Sequence, residues 1–344
     1  MKVPEKIVRL VQMTMSQVLC QVKVGGLLSD PFETARGLRQ GDALACLLFN
    51  IALEKAIRDS KITTSGNLFN RMVQILGYAD DIDIAARSVA EMRKSFLELE
   101  RAAKNVGLEI NASKTKVMMA STSEARIRGI GSRISTGNHN FEVVQEFKYL
   151  GSLVNKNNDF STEIKKRILL ANGCYFGMIK YLKSKILSRA TKIKLYKSLI
   201  VPVLIYGSET WTMTKRDEGL LRRFERKILR RIFGAIKEGD AYRQRYNAEL
   251  YELYRSKDIV TAIKLGRRWA GHVIRANGSP IKQILQAKPE GNRRPGRPRL
   301  RWLDMVDRDA RAAGLRGWKR LAQNRDDWRH KLGEARTLEG LSRQ

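Results

Sequence analysis

An α+β fold that turns helical after about residue 160 is what this sequence predicts, and three observations carry that expectation. Up to residue 150, short apolar runs bounded by turn residues are interleaved with stretches of helical periodicity. From Ser161 the apolar residues fall mainly at helical spacing. The 344 residues are enough for two or three domains with a sizeable core.

In chain order, Gly37-Leu38-Arg39-Gln40-Gly41-Asp42 is a glycine-bounded loop. It feeds a predicted helix over about 42–58, with Leu44, Leu47, Leu48, Ile51 and Ala52 at helical spacing. The runs 72–76 and 82–86 flank Gly77-Tyr78-Ala79-Asp80-Asp81 and predict a β-hairpin with an acidic tip. Ser88-Val89-Ala90-Glu91 has the pattern of a capping box. It opens a helix with Val89, Met92, Phe96, Leu99, Ala103 and Val106 as its buried stripe, ended by Gly107. Strand-like pieces follow at 108–110, 116–119, 141–144 and 147–150, and residues 127–140, rich in Gly, Ser and Asn, read as a loop.

Beyond Ser161, Ile164, Ile168, Ala171, Tyr175, Met178 and Leu182 line one helix face, with Lys165, Lys166, Arg167, Lys180 and Lys183 largely elsewhere. A helix over about 215–233 carries Leu221, Phe224, Ile228 and Ile232 on one side and Arg222, Arg223, Arg226, Lys227, Arg230 and Arg231 around the rest, stopping at Gly234. Such a basic helix can be a solvated face, a membrane-surface helix or a phosphate binder, and the whole-chain charge favours the phosphate binder. Four of the five tryptophans lie in the last hundred residues. Trp302, Val306, Ala310 and Ala313 share one helical spacing, and Trp318, Leu321, Ala322 and Leu332 another, with Trp328 close enough to join them. Aromatics can stack on unpaired bases, but at this spacing core packing is the better reading. Residues 289–301 form a basic stretch broken by Pro and Gly, an extended arm or linker. Its Pro295-Gly296-Arg297-Pro298 resembles the minor-groove arm called an AT-hook.

The formal net charge is +31, which makes nucleic acid the default partner. The N-terminus has no signal-peptide apolar core, and the longest apolar run, 199–206, is too short to span a bilayer and contains Pro202. The chain is therefore expected to be soluble and intracellular, with no membrane partner. Cys20, Cys46 and Cys174 and His139, His272 and His330 are scattered, without zinc or disulfide spacing and without a nucleophile constellation. Chemistry, if any, falls to carboxylates and a metal. Asp80-Asp81 is by itself either a solvated turn or a site for Mg²⁺, whose hard-oxygen preference suits carboxylates and substrate phosphates in nucleotidyl transfer.

Together these motifs resemble the reverse transcriptase of non-LTR (LINE-type) retrotransposons along essentially the whole chain, and the C-terminal third resembles that of the RTE-like group. The resemblance implies a partial right-hand polymerase palm (1–152), an all-α thumb (153–236) and a basic, mostly helical C-terminal region (237–344). It implies that Arg39, Gln40 and Gly41 lie against template and incoming nucleotide, where glycine lets the backbone approach closely. Tyr78-Ala79-Asp80-Asp81 matches the Mg²⁺-holding motif, with Asp80 the likelier direct ligand and Tyr78 near the primer end. In Asn111-Ala112-Ser113-Lys114-Thr115, Lys114 would offset charge on the leaving pyrophosphate or donate a proton, its alternative being a plain surface lysine. Phe147, Lys148, Tyr149, Leu150 and Gly151 match the primer-grip hairpin. Arg222, Arg223, Arg226, Lys227, Arg230, Arg297 and Arg299 are the expected phosphate contacts to an RNA template and a DNA primer or target.

Two-metal transfer needs carboxylates that bridge both ions. In the family one such aspartate comes from a motif upstream of the segment matching residues 2–10, and this chain does not contain it. The chain alone is therefore expected to polymerise weakly or not at all, and the alternative is a non-catalytic DNA- or RNA-binding remnant. The arginine-rich stretch 293–301 is also compatible with a nuclear location.

Overall fold

The computed structural model describes residues 3–16, 18–34, 41–62, 73–120, 129–266, 269–286 and 300–335. The chain forms two compact units, residues 1–66 with 71–110 and residues 67–70 with 111–344. Both mix or adjoin helices and small, mostly antiparallel sheets, as an α+β protein does.

In the first unit, α1 (Glu5–Met15) buries none of its residues. A nested pair of two-residue ladders follows, in which β1 (Leu19–Cys20) pairs with β4 (Phe32–Glu33) and β2 (Lys23–Val24) with β3 (Leu27–Leu28). Helix α2 (Ala45–Asp59) starts three residues later than expected, and Leu44 and Leu47 of its predicted stripe are exposed. Burial concentrates at its other end, where Ala56 packs with Ala102 and Ala103 of α3 (Val89–Asn105). The Ser88 hydroxyl accepts from the Glu91 amide at 3.2 Å, the half of the capping box that satisfies a free helix-end N–H. Phe96, Leu99 and Ala103 are buried as the periodicity predicts, and α3 packs against the hairpin of β5 (Val73–Tyr78) and β6 (Asp81–Ala86).

The second unit opens with β7 (Lys116–Met118), β8 (Arg133–Thr136) and β9 (His139–Val144), in the order β7-β9-β8, with β7 parallel and β8 antiparallel to β9. Residues 127–140 are therefore not all loop. The Gly137-Asn138 signal belongs to a two-residue turn joining β8 to β9, and Ile134 and Thr136 alternate into the interior. Residues 108–110 form no strand. The hairpin of β10 (Glu146–Tyr149) and β11 (Ser152–Asn155) leads into the helices.

Helix α4 (Ser161–Lys183) buries Ile164, Ala171, Tyr175 and Leu182 on the predicted face. Arg167 departs from expectation. It is buried rather than turned outward, because Glu163, one helical turn earlier, is also buried and pairs with it at 2.6 Å. Helices α5 (Arg189–Leu195) and α6 (Val201–Ile205) are joined by a π-helical turn, Tyr196–Ile200. That widening sits where Pro202 has no N–H to give the carbonyl of Ser198. Helix α7 (Lys215–Phe233) runs over the expected span, with Thr214 and Asp217 closing a full capping box. With α8 (Asn247–Tyr254) and α9 (Ile259–Gly266), these helices enclose the largest core, centred on Leu182, Leu204, Trp211, Leu221 and Ile228.

A smaller core brings together α10 (Trp269–Arg275), α12 (Trp302–Ala312), α13 (Trp318–Leu321) and α14 (Arg325–Ala335), with α11 (Pro280–Gln286) between α10 and α12 in sequence. Trp318 and Trp328 are buried in it and Trp302 packs on it, as the helical spacing implied. Two of these indoles have hydrogen-bond partners: Trp318 Nε1 donates to Asp307 at 2.6 Å and Trp302 Nε1 to the Glu209 carbonyl at 2.7 Å. Among the described residues no helix is long and apolar enough to cross a membrane.

Candidate active site

The β5–β6 ladder runs in full register from Val73↔Ala86 to Tyr78↔Asp81, leaving Ala79 and Asp80 as a two-residue turn. Primed hairpin turns place their first central residue at positive φ, and Ala79 takes φ +51° although its Cβ disfavours it. Along β6, Ile82, Ile84 and Ala86 are half-buried and Asp81, Asp83 and Ala85 are exposed, the period-two pattern of a strand with one covered face. The two motif carboxylates thus stand at the open end of a pinned hairpin. Among the described residues the side chains of Asp80 and Asp81 have no hydrogen-bond or ion-pair partner.

Two adjacent, unengaged, hard-oxygen donors fit Mg²⁺, which is commonly held by one or two carboxylates with the remaining positions left to water and phosphate. No group of three or more His, Cys, Asp or Glu that could hold a metal is assembled among the described residues. Asp83, not singled out in the sequence, shares the exposed strand face with Asp81. Desolvation raises its carboxyl above the ordinary range even though the residue as a whole stays open to solvent. The alternation of residues 81–86 was the signal that could have found it.

Of the loop residues expected near the nucleotide, Arg39 and Gln40 lie outside the described residues, while Gly41 is exposed at φ +92°. Tyr78 is exposed beside the turn. Lys114 belongs to the second unit, in a turn that Asn111 organises by accepting from the Lys114 amide at 3.2 Å and the Ser113 hydroxyl at 2.7 Å. Its side chain is exposed.

Phe147, Lys148 and Tyr149 lie on β10, and Leu150-Gly151 is the turn into β11. Leu150 and Gly151 have φ +46° and +81°, so both central residues are left-handed, as in a type I′ turn. A branched apolar residue is a poor occupant of that region. Groups from the following helices hold the turn. Tyr206 Oη donates to the Leu150 carbonyl at 2.8 Å, Arg167 Nη2 donates to the Gly151 carbonyl, and the Arg167 guanidinium lies 4.5 Å from the Tyr206 ring centre. Sequence reasoning missed Arg167 and Tyr206, which stand 16 and 56 residues from their partners.

On α7 the basic residues divide by surroundings. Arg222 faces inward, its Nε 2.5 Å from Asp258 and its Nη1 3.6 Å from Glu218. Lys227 is exposed, donating to Asn172 at 3.0 Å over the rings of Tyr175 and Phe176. Arg230 donates to Asn247 at 2.8 Å, Arg223 is exposed and Arg226 half-buried. Arg297 and Arg299 lie outside the described residues. Beneath this face Glu225 is buried and accepts from Tyr196 Oη, Tyr251 Oη and the Ile259 amide at 3.2, 3.1 and 2.9 Å. Desolvation lifts its pKa to about 7 against the opposing pull of those hydrogen bonds.

In the first unit two adjacent aspartates, whose side chains have no partner among the described residues, stand at a hairpin turn; in the second unit another hairpin leads into helices that carry basic residues. Residues 1–154 match the family described as reverse transcriptase (RNA-dependent DNA polymerase). The chain is 29% identical over 261 residues to a transposon-derived protein of Caenorhabditis elegans, covering 74% of this chain and 92% of that protein. It is 25% identical over 242 residues to the RNA-directed DNA polymerase from the mobile element jockey of Drosophila melanogaster, 67% of this chain and 25% of that one. It is 30% identical over 129 residues to a Pol polyprotein of the retrotransposable element R2 of Nasonia vitripennis, 35% of this chain and 12% of that one. These relatives carry the expected kinship with non-LTR retrotransposon reverse transcriptases, and the chain spans only a minor part of the two polymerases.

Proposed function

We propose that this chain is a portion of an RNA-directed DNA polymerase of a non-LTR retrotransposon, with residues 1–152 a partial palm, 153–236 a thumb and 237–344 a basic nucleic-acid-binding region. The observation that carries the reading is the pair Asp80-Asp81, unpartnered at the turn of a two-stranded hairpin inside the reverse transcriptase match. Mg²⁺ bound there would activate a primer 3′ hydroxyl and neutralise the triphosphate.

The protein's own residues do the positioning. Asp80, in the turn, serves as the direct ligand; Asp81, fixed by its pairing with Tyr78, supplies a second oxygen donor. Tyr78 offers an exposed ring toward the primer end, and Gly41, with Arg39 and Gln40, backs the template and nucleotide. Lys114 carries positive charge to the leaving pyrophosphate. The 147–151 hairpin positions the primer strand, and Arg223, Arg226, Lys227 and Arg230, with Arg297 and Arg299, track phosphates; Arg222 serves the protein interior first.

With no third carboxylate gathered beside Asp80 and Asp81 among the described residues, two ions would be held weakly, and polymerisation by this chain alone is expected to be slow or absent. Primer extension on an RNA template with Mg²⁺, comparing the chain with Asp80→Ala/Asp81→Ala, tests the proposal. Extension lost in the double variant establishes the carboxylate site and refutes the expected weakness. A folded protein that binds template-primer equally in both forms without extending it leaves the non-catalytic nucleic-acid binder, which the exposed basic residues of α7 favour.

A further inference from the structure

We propose that Arg167 and Tyr206 are positioning residues that hold the Leu150-Gly151 turn in the conformation that seats the primer terminus; the inference rests on reading residues 147–151 as a primer-binding hairpin. The turn does not hold itself. Leu150 occupies left-handed backbone that any residue with a Cβ disfavours, and a bulky one more so, so an isolated hairpin of this sequence would populate other turn geometries. Two donors correct this from outside the hairpin. The Tyr206 hydroxyl meets the Leu150 carbonyl at 2.8 Å and Arg167 meets the Gly151 carbonyl, so each central residue of the turn is gripped by a separate group.

The clamp is itself fixed. Arg167 is buried, stacked 4.5 Å from the Tyr206 ring centre and paired at 2.6 Å with buried Glu163. The other oxygen of Glu163 accepts from the Leu153 amide at 2.8 Å, so the same carboxylate ties the base of β11 to α4. Close approach completes the fit. A Cβ on Gly151 would stand 3.3 Å from the Tyr206 ring, and one on Gly207 would stand 2.9 Å from Ser152 Oγ. Helix α4 and the end of α6 therefore set the turn's place as well as its shape. A buried arginine spent on a backbone carbonyl at an exposed turn is more than core stability requires, since its carboxylate partner alone would neutralise it. Among the described residues the Tyr206 hydroxyl bonds the Leu150 carbonyl and no other group.

The test uses the full chain with an RNA–DNA template-primer carrying a photoactivatable 4-thiothymidine at the primer 3′ end. In the unsubstituted chain the crosslink is expected within residues 147–151. Tyr206→Phe keeps the ring under Arg167 and removes only the hydrogen bond to the turn; it should lower that crosslink about fivefold more than it lowers duplex retention. Arg167→Lys, which keeps the charge beside Glu163 but loses the fork, should do the same, with the melting transition of each variant monitored to exclude unfolding. A crosslink at 147–151 that is unchanged in both folded variants overturns the positioning role while leaving the primer-grip reading intact. A crosslink elsewhere in the unsubstituted chain overturns the primer-grip reading and the inference with it.

Discussion

Ala79 and Leu150 each sit in left-handed backbone at the turn of a hairpin proposed to meet the primer and metal, and in neither case does the residue itself favour that conformation. Ala79→Gly should therefore stabilise the first unit by about 1 kcal/mol, read as a higher urea midpoint; an unchanged or lower midpoint would show that the turn carries no strain. The opposite case is Gly271, where a Cβ would run into the Trp328 indole in the middle of the smaller core. Gly271→Ala should cost about 1–3 kcal/mol and lower the melting temperature, because an indole packed on both sides cannot retreat. The Asp80-Asp81 pair was legible as residues, since adjacent carboxylates between two apolar runs leave few readings. The clamp by Arg167 and Tyr206 was not, because nothing local distinguishes an arginine or tyrosine that will bond a carbonyl 16 or 56 positions away.

Helix α7 shows both the strength and the limit of periodicity. Its apolar stripe and its end were readable because side chains at helical spacing share a face and because Gly234 stops it, while the Thr214 cap emerged only in the structure. Which of its arginines faces solvent was not, since Arg222 is recruited by Asp258, the residue just before α9. Arg222→Ala should destabilise the bundle by about 2 kcal/mol, mostly by leaving the Asp258 carboxylate poorly paired, and a calorimetric or denaturant titration checks it. Glu225 gives a pH signature. With a folded pKa near 7 against an ordinary value of 4.5, it binds its proton more tightly in the folded state. Its contribution is therefore full below about pH 4.5 and lost as pH rises through 7, a change of about 3 kcal/mol. Glu225→Gln should flatten stability between those limits; a profile unchanged by the substitution would assign the pH dependence to other groups. The 127–140 segment failed in the other direction: a Gly-Asn turn signal was read as a whole loop, though it marks only the two residues joining β8 to β9.

For the molecule as a whole, a net charge of +31 makes the prediction one of salt dependence. If some 6–10 phosphates are neutralised, affinity for an RNA–DNA duplex should fall by about 10³–10⁵ between 50 and 200 mM salt, and the log–log slope should shrink by about one for each contacting lysine or arginine removed. A shallow slope in a filter-binding or anisotropy titration would rule out the phosphate-tracking role. The sequence by itself determined the α+β-to-helical progression, the acidic hairpin and the basic character, which follow from local periodicity, turn chemistry and composition, and its motifs carried the resemblance to reverse transcriptases. Only the tertiary structure decided that Arg167 and Arg222 turn inward, that Leu44 and Leu47 stay open, and that the Leu150-Gly151 turn is clamped by helix residues. The reason is physical: a residue's spacing fixes the face on which it lies, but what opposes that face is contributed by chain tens of residues away, and burial and pairing are properties of the pair.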